Sequence, residues 1–448
     1  MNPSSAQALP PGRSGLPLLG ETLGFAKNPF GFIERRLAEH GRVFRTHVLG
    51  RPTVVIAGPD ATGRFIEPAA VMRAGSMPAN IEAIFAGRSL PLLDGAEHRS
   101  RKTLVLAGFS REALAAYLPA MQAITERAFE RWAAAGRAGA EVRWLDGLKR
   151  LSIEVICTTV IGMEPGEEMD RLREDYGVLT AGFTALPIDL PGTRYRRALR
   201  ARDRILAVLE RRVRERRAAP AADGLGRMLS ARTAEGVALE DADAVLELHH
   251  VVIAGYIVFA ELGAMVRQLT LHPDVRARLA AEVARAAPSG ALTPAGLAAM
   301  PALREVVMEV KRVTPIIPAI FGRAREAFEV DGHTVPAGWM VLWALLPTHT
   351  THGVYTDPAR FDPARFSPER AEDRRHEHAF VPQGAGPALG HRCPGLDFAT
   401  LLMQVFAVVL LRGHDWELPE QRFELDYSTT PPEPRDRLRA RVLPRPPA

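Results

Sequence analysis

FVPQGAGPALGHRCPG, residues 380–395, sets four glycines and three prolines around Cys393, one of only two cysteines in a chain of 448 residues. Such a loop can hold a phosphate, a zinc ion, a nucleophile or a larger flat ligand. A dinucleotide fingerprint needs Gly-x-Gly-x-x-Gly between a strand and a helix, but Gly384, Gly386 and Gly390 are spaced one residue too far and no βαβ pattern surrounds them. A zinc site needs about four close ligands. His391 is near and His376 and His378 lie upstream, yet no second cysteine pairs with Cys393. No Gly-x-Ser-x-Gly occurs, which removes the commonest serine hydrolase arrangement. No Cys-x-x-Cys-His occurs, which excludes covalent haem attachment.

What remains is a cysteine in a glycine-opened loop leading into a helix predicted over residues 396–412. Amides at a helix N-terminus stabilise an anion and favour the thiolate. Glycines let backbone approach a flat ligand closely. These conditions suit a thiolate ligand to haem iron. A buried structural cysteine explains neither the glycines nor the adjacent His391-Arg392 pair.

Composition bounds the rest. Hydrophobic residues at 47% and charged residues at 24% are ordinary for a globular protein. Two cysteines, Cys157 and Cys393, fit a reducing cytoplasm better than a disulfide scaffold. The N-terminus lacks the charged start and apolar run of a signal peptide, and the apolar stretch 251–260 is shorter than the roughly 20 residues a membrane span needs. The net charge is +5, but aromatics are only 6% and no nucleic-acid motif appears. A basic face for an acidic protein partner, or plain solvated surface, accounts for it.

Along the chain, residues 42–58 read as a hairpin split by Gly50 and Pro52, and residues 97–287 are mostly helical. LPIDLPG, residues 186–192, is an apolar loop that can act as a lid over a channel or lie packed on the core. The longest predicted helix, residues 243–271, is apolar on nearly every face and is expected to run buried through the protein. His249 and His250 are read as helix-end residues. Another helix ends near Arg312, ahead of Pro315. Helices with a small β portion, rather than alternating strands and helices, argue against a doubly wound fold.

Taken together these motifs resemble the cytochrome P-450 superfamily over essentially the whole chain. His391, Cys393 and Gly395 match the last three places of its cysteine loop. Glu309-x-x-Arg312 at a helix end, FDPARF at 361–366 and then the cysteine loop follow in the family's order. The resemblance implies that Glu309, Arg312 and Arg365 form a buried structural network. HRSRK, residues 98–102, resembles the propionate-binding helix, with lysine where arginine is usual. The opening residues and LPIDLPGT are most similar to the retinoid-hydroxylating branch.

Two departures stand out. The loop carries three extra residues between Gly386 and His391, and Gln383 stands where an aromatic is usual; this resembles the fatty-acid peroxygenase branch. In the long helix, where the family has Ala-Gly-x-(Asp/Glu)-Thr, this chain reads Ala254-Gly255-Tyr256-Ile257-Val258. The usual acid and alcohol, which deliver protons during oxygen activation, are absent. The arginine that peroxygenases place there for a fatty-acid carboxylate is absent too, since none occurs from residue 243 to 266.

The expectations are these. The fold is mainly α with a small β portion, one domain over residues 1–448 with a Pro/Gly-rich lead at 1–20. Cys393 is the axial ligand of haem b iron, and His98, Lys102, Arg323 and His391 hold the propionates. Ala254, Gly255, Ile257 and Val258 form the distal pocket, with Phe259, Ile317 and Ile320 as wall or core residues. The function is oxidation of an apolar small molecule such as a terpenoid, polyketide or lipid, in secondary metabolism. The alternatives are a peroxide-dependent peroxygenase or hydroperoxide isomerase, and a non-catalytic haem-binding sensor. The expected partners are a ferredoxin and its reductase, with no nucleic acid and no membrane span, for a cytoplasmic monomer.

Overall fold

The helix carrying the cysteine loop is the centre of the core. It spans Leu396–Gly413, and Phe398, Leu402, Met403 and every residue from Val405 to Leu411 are buried. A helix buried on all faces needs helices on every side. They are supplied by Arg111–Arg137, Pro273–Ala286 and Pro301–Val313. Phe129 packs on Phe406 (ring centroids 5.2 Å), knitting Arg111–Arg137 to the central helix. The protein, a computed structural model described over residues 8–445, is mainly helical.

The principal sheet has five strands, in the order Val43–Val48, Arg51–Ile56, Met340–Ala344, Ala319–Ala324, Val71–Met72. The first two form the expected hairpin, in register Val43 to Ile56 and Val48 to Arg51. Arg51–Ile56 runs parallel to Met340–Ala344, and the other pairings are antiparallel. Met72 faces Arg323 across the last of them, which brings an early segment beside a late one. A second sheet of three strands, Val142–Arg143, Arg439–Pro444 and His414–Glu417, closes the helical side.

The long predicted helix is in fact two. Asp241–Tyr256 and Phe259–Leu271 are separated by a turn at Ile257 and Val258. The Val258 amide reaches back to the Gly255 carbonyl (3.4 Å) instead of the Ala254 carbonyl that an unbroken helix would use. Apolar periodicity does not register such a break, because both halves keep the same face inward. Taken as one run, residues 241–271 are long and apolar enough to cross a membrane, as is Leu396–Gly413. This corrects the expectation from residues 251–260. Most of each run lies buried inside the protein, 72% and 61% of the apolar window respectively.

Candidate active site

The loop before Leu396–Gly413 is folded tightly enough to explain its glycines. Gly384 and Gly386 both have φ +90°, and a Cβ at Gly384 would come within 3.3 Å of the His391 carbonyl. The Cys393 amide donates to the Gln383 carbonyl (2.9 Å), closing the loop on itself. Burial pushes the Cys393 thiol up, while the Gly395 amide, Lys102 and Lys311 pull it back toward the thiolate. Cys157, by contrast, is fully buried in the helical core and pushed up to about 12 by that burial. Only Cys393 has cations near it on two sides.

Gln383 has a partner the sequence reading did not find. Lys311, 2% exposed on Pro301–Val313, donates to its side-chain carbonyl (2.7 Å) and sits 3.5 Å from Glu261, also 2% exposed. Burial raises the Glu261 carboxyl, and Lys311 opposes the rise. A buried ion pair thus lies beneath the loop. The available signal was scarcity: the chain has four lysines, and two of them, Lys102 and Lys311, flank Cys393.

A second group of residues converges from four segments. Helix Gly95–Leu106 presents His98 and Lys102 on one face, four residues apart. The His98 ring lies 4.0 Å from that of His391. Lys102 donates to the Arg392 carbonyl, and burial pushes its ammonium down to about 8 while Cys393 pulls the other way. Burial, with His391 and Lys102 adding to it, drives His98 down to about 3. His391 meets Asp94 at 3.4 Å. Asp94 in turn accepts the Arg73 and Ala74 amides (2.8–3.0 Å); burial pushes its carboxyl up, but His391 first and then these amides outweigh that and hold it low.

Arg73 and Asp94 are additions that sequence reasoning missed, because Arg73 sits just past a two-residue strand, Val71–Met72, with no periodic signal. The Arg73 guanidinium lies 4.2 Å over the Phe65 ring and donates to the Phe321 carbonyl, and burial lowers it to about 10. Arg323 is on strand Ala319–Ala324, and its guanidinium rests against Met72 Sδ (3.4 Å) and Gly75, with Nε buried and unbonded.

Glu309, Arg312 and Arg365 are all 0% exposed and joined. Arg312 grips both Glu309 oxygens (2.7 and 2.8 Å), and Arg365 Nε reaches the same pair (both 3.1 Å). Arg365 Nη1 then bonds Glu372 (2.8 Å), a fourth member with no motif to announce it.

The cytochrome P450 family model matches residues 10–436. The chain belongs to the cytochrome P450 family. The putative cytochrome P450 120 of Synechocystis sp. is 31% identical over 97% of this chain and 96% of its own. Abscisic acid 8'-hydroxylase 3 of Oryza sativa subsp. indica is 31% identical over 95% and 85% respectively. The solved structure of retinoic acid-bound cyanobacterial CYP120A1 superposes with a TM-score of 0.90 over 98% of this chain and 100% of that one, at 31% identity. CYP152N1 with myristic acid, at 22% identity and TM-score 0.80, shares the fold. This P450 is accordingly a haem b-dependent oxidoreductase of the monooxygenase type, acting on an apolar small molecule.

The cations fit the cofactor. Arg73 and Arg323 are desolvated or incompletely bonded, and Lys102 satisfies only a carbonyl, so a pair of carboxylates would complete their hydrogen bonds.

The distal helix of this P450 departs from expectation in several details. The space beside Gly255 belongs to Ile156, which a Cβ there would meet at 2.5 Å, so this glycine is small for helix packing. Val258 is 2% exposed and Phe259 1%, both core residues, and Phe259 lies edge-on to Tyr256. Ala254 and Ile257 stay partly open, as do Ile317 and Ile320. His249 and His250 are mid-helix rather than at an end. His249 is fully buried, bonds the Ile84 carbonyl (2.9 Å), and is lowered by burial to about 4. His250 lies on the face that carries Ala254 and Ile257. Its Nδ1 is 3.5 Å from the fully buried Glu247, whose other oxygen meets Arg101 (3.3 Å).

Proposed function

We propose that Cys393 would supply the thiolate ligand to haem b, and that His98, Lys102, His391, Arg73 and Arg323 would hold its propionates. The bound haem supplies the oxygen-activating chemistry that inserts an oxygen atom into substrate. The observation that carries the reading is the pairing of a glycine-folded cysteine loop with a converging set of buried, under-bonded cations. Cations near the thiol favour its ionised form, and the Gly395 amide adds to them. Glu309, Arg312, Arg365 and Glu372 act as structure, locking the meander that precedes the loop to helix Pro301–Val313. The whole chain serves as one catalytic domain.

Ile257 and Val258 carry no exchangeable proton, and Ala254 and Gly255 add none. Protons for oxygen activation therefore come from water or from a group on the substrate. A hydroperoxide or hydrogen peroxide, which already carries an O–O bond, is the oxidant this distal helix suits, and that favours peroxide-driven turnover as the second reading. His250, whose Nδ1 lies 3.5 Å from Glu247 without a hydrogen bond, is the polar group on the face that carries Ala254 and Ile257. The substrate is an isoprenoid-like or lipid-like molecule with at most one polar end. Electrons, where used, come from a ferredoxin-type partner to a cytoplasmic monomer.

The test is spectroscopic. The reduced carbon monoxide complex should show the strongly red-shifted band of thiolate ligation. An unshifted band in wild-type protein would remove Cys393 from the iron.

A further inference from the structure

A cavity of about 1230 Å3 opens along helix Phe259–Leu271. Helix Pro29–His40, the segment 313–318 and the C-terminal segment 423–438 complete its walls. Its lining is mostly apolar, including Ile33, Leu37, Ala264, Ile316 and Phe423. Phe259 is in its lining, but neither Cys393, His98, Lys102, Ala254 nor Ile257 is. Its volume exceeds the roughly 300–1,000 Å3 usual for small-molecule sites.

Two guanidiniums line this cavity, the exposed Arg435 and the half-buried Arg267. Several arginines have a buried, unbonded nitrogen, among them Arg36 and Arg196 at Nε and Arg412 at Nη2, but each of these makes hydrogen bonds through its other nitrogens. Arg267 also has a buried, unbonded Nε, yet among the described residues it forms neither a hydrogen bond nor an ion pair. Its guanidinium lies 5.4 Å from the Phe423 ring. Burial alone lowers it, with no carboxylate offsetting the effect. A half-buried guanidinium in apolar surroundings lacks the anion that would stabilise it, and its planar fork matches a carboxylate.

We infer that this cavity binds a long-chain monocarboxylate, its apolar body along Ile33, Leu37 and Phe423 and its carboxylate on Arg267, at a second site apart from the haem. With Arg435 exposed to solvent, the half-buried Arg267 is the lining guanidinium in apolar surroundings, and it accommodates one charge. The exposed Glu34 and Glu424 at the rim disfavour a dianion such as a lipid phosphate.

The test uses haem-loaded protein saturated with a haem-ligating azole, whose optical shift reports the distal site. Dodecanoate, below its micellar concentration, is then titrated by calorimetry. The expected result is one equivalent of bound dodecanoate that leaves the azole spectrum unchanged. Affinity should fall about tenfold or more with 1-dodecanol or in Arg267→Gln, as loss of a charge-assisted pair implies. Leu37→Trp, which fills the cavity from the facing helix, should also block dodecanoate while sparing the azole shift. Displacement of all dodecanoate by the azole, or binding unaffected by both variants, overturns the inference. Absence of the azole shift would count against the haem assignment alone, since the calorimetry reads the second site independently.

Discussion

Removing Arg365 tests whether the buried charge network is structural. Its Nε is shared by both oxygens of Glu309 and its Nη1 by Glu372, while Nη1 and Nη2 also bond the Thr356 and Arg360 carbonyls (2.8 and 2.9 Å). In Arg365→Ala, Glu309 keeps Arg312 and Glu372 keeps Arg370, so neither carboxylate is stranded. The loss is therefore near the lower end of the range for breaking a buried ion pair, about 3 kcal/mol. Glu309→Ala is worse, about 5 kcal/mol, because Arg312 then retains only carbonyl partners. Arg365→Lys should not rescue, since one ammonium cannot span two carboxylates. Thermal melts followed by circular dichroism should fall by several degrees for Arg365→Ala and further for Glu309→Ala. Haem content should fall in the same order. An Arg365→Ala protein that melts with wild type and holds full haem, or full rescue by lysine, refutes the reasoning.

Other outcomes follow from the same geometry. Cys393→Ala should abolish the red-shifted carbon monoxide band, whereas Cys157→Ala, in the helical core, should leave it intact. Lys311→Met strands the buried Glu261 and frees Gln383, so it should weaken haem retention more than Gln383→Leu, read as haem loss to an apoprotein acceptor. Burial pushes Glu372 up, but Arg370, the Thr356 amide and Arg365 together hold it at about 2, against an ordinary value near 4.5. A depressed carboxyl contributes stability that is complete above pH 4.5 and disappears as pH falls toward 2. Glu372→Gln should therefore lower stability at pH 7 and flatten the acid limb of a pH–melting profile. Hydrogen peroxide should support turnover at least as well as oxygen with a reductase. Tight coupling of electrons to product for every substrate, with no peroxide-supported activity, would falsify the view that Ile257 and Val258 end the usual relay.

The chain's own order of residues determined the fold class, the cysteine, the Glu309–Arg312 pair and the absence of an acid and alcohol at 257 and 258. These are local: spacing along a helix, glycines within one loop, an arginine beside a thiol. What only tertiary structure decided is everything that depends on distant segments meeting. Arg73 reaches the cluster because Met72 pairs with Arg323, a register set by a five-stranded sheet. Lys311 comes under Gln383, and Glu372 onto Arg365, through packing that no periodicity encodes. Gly255 faces Ile156 and not a ligand, and the central helix breaks at Ile257, because neighbouring helices decide which side of a helix is crowded. Apolar pattern says that a face is buried. Which atoms bury it, and which cation is left without a partner, is settled only when the segments are brought together.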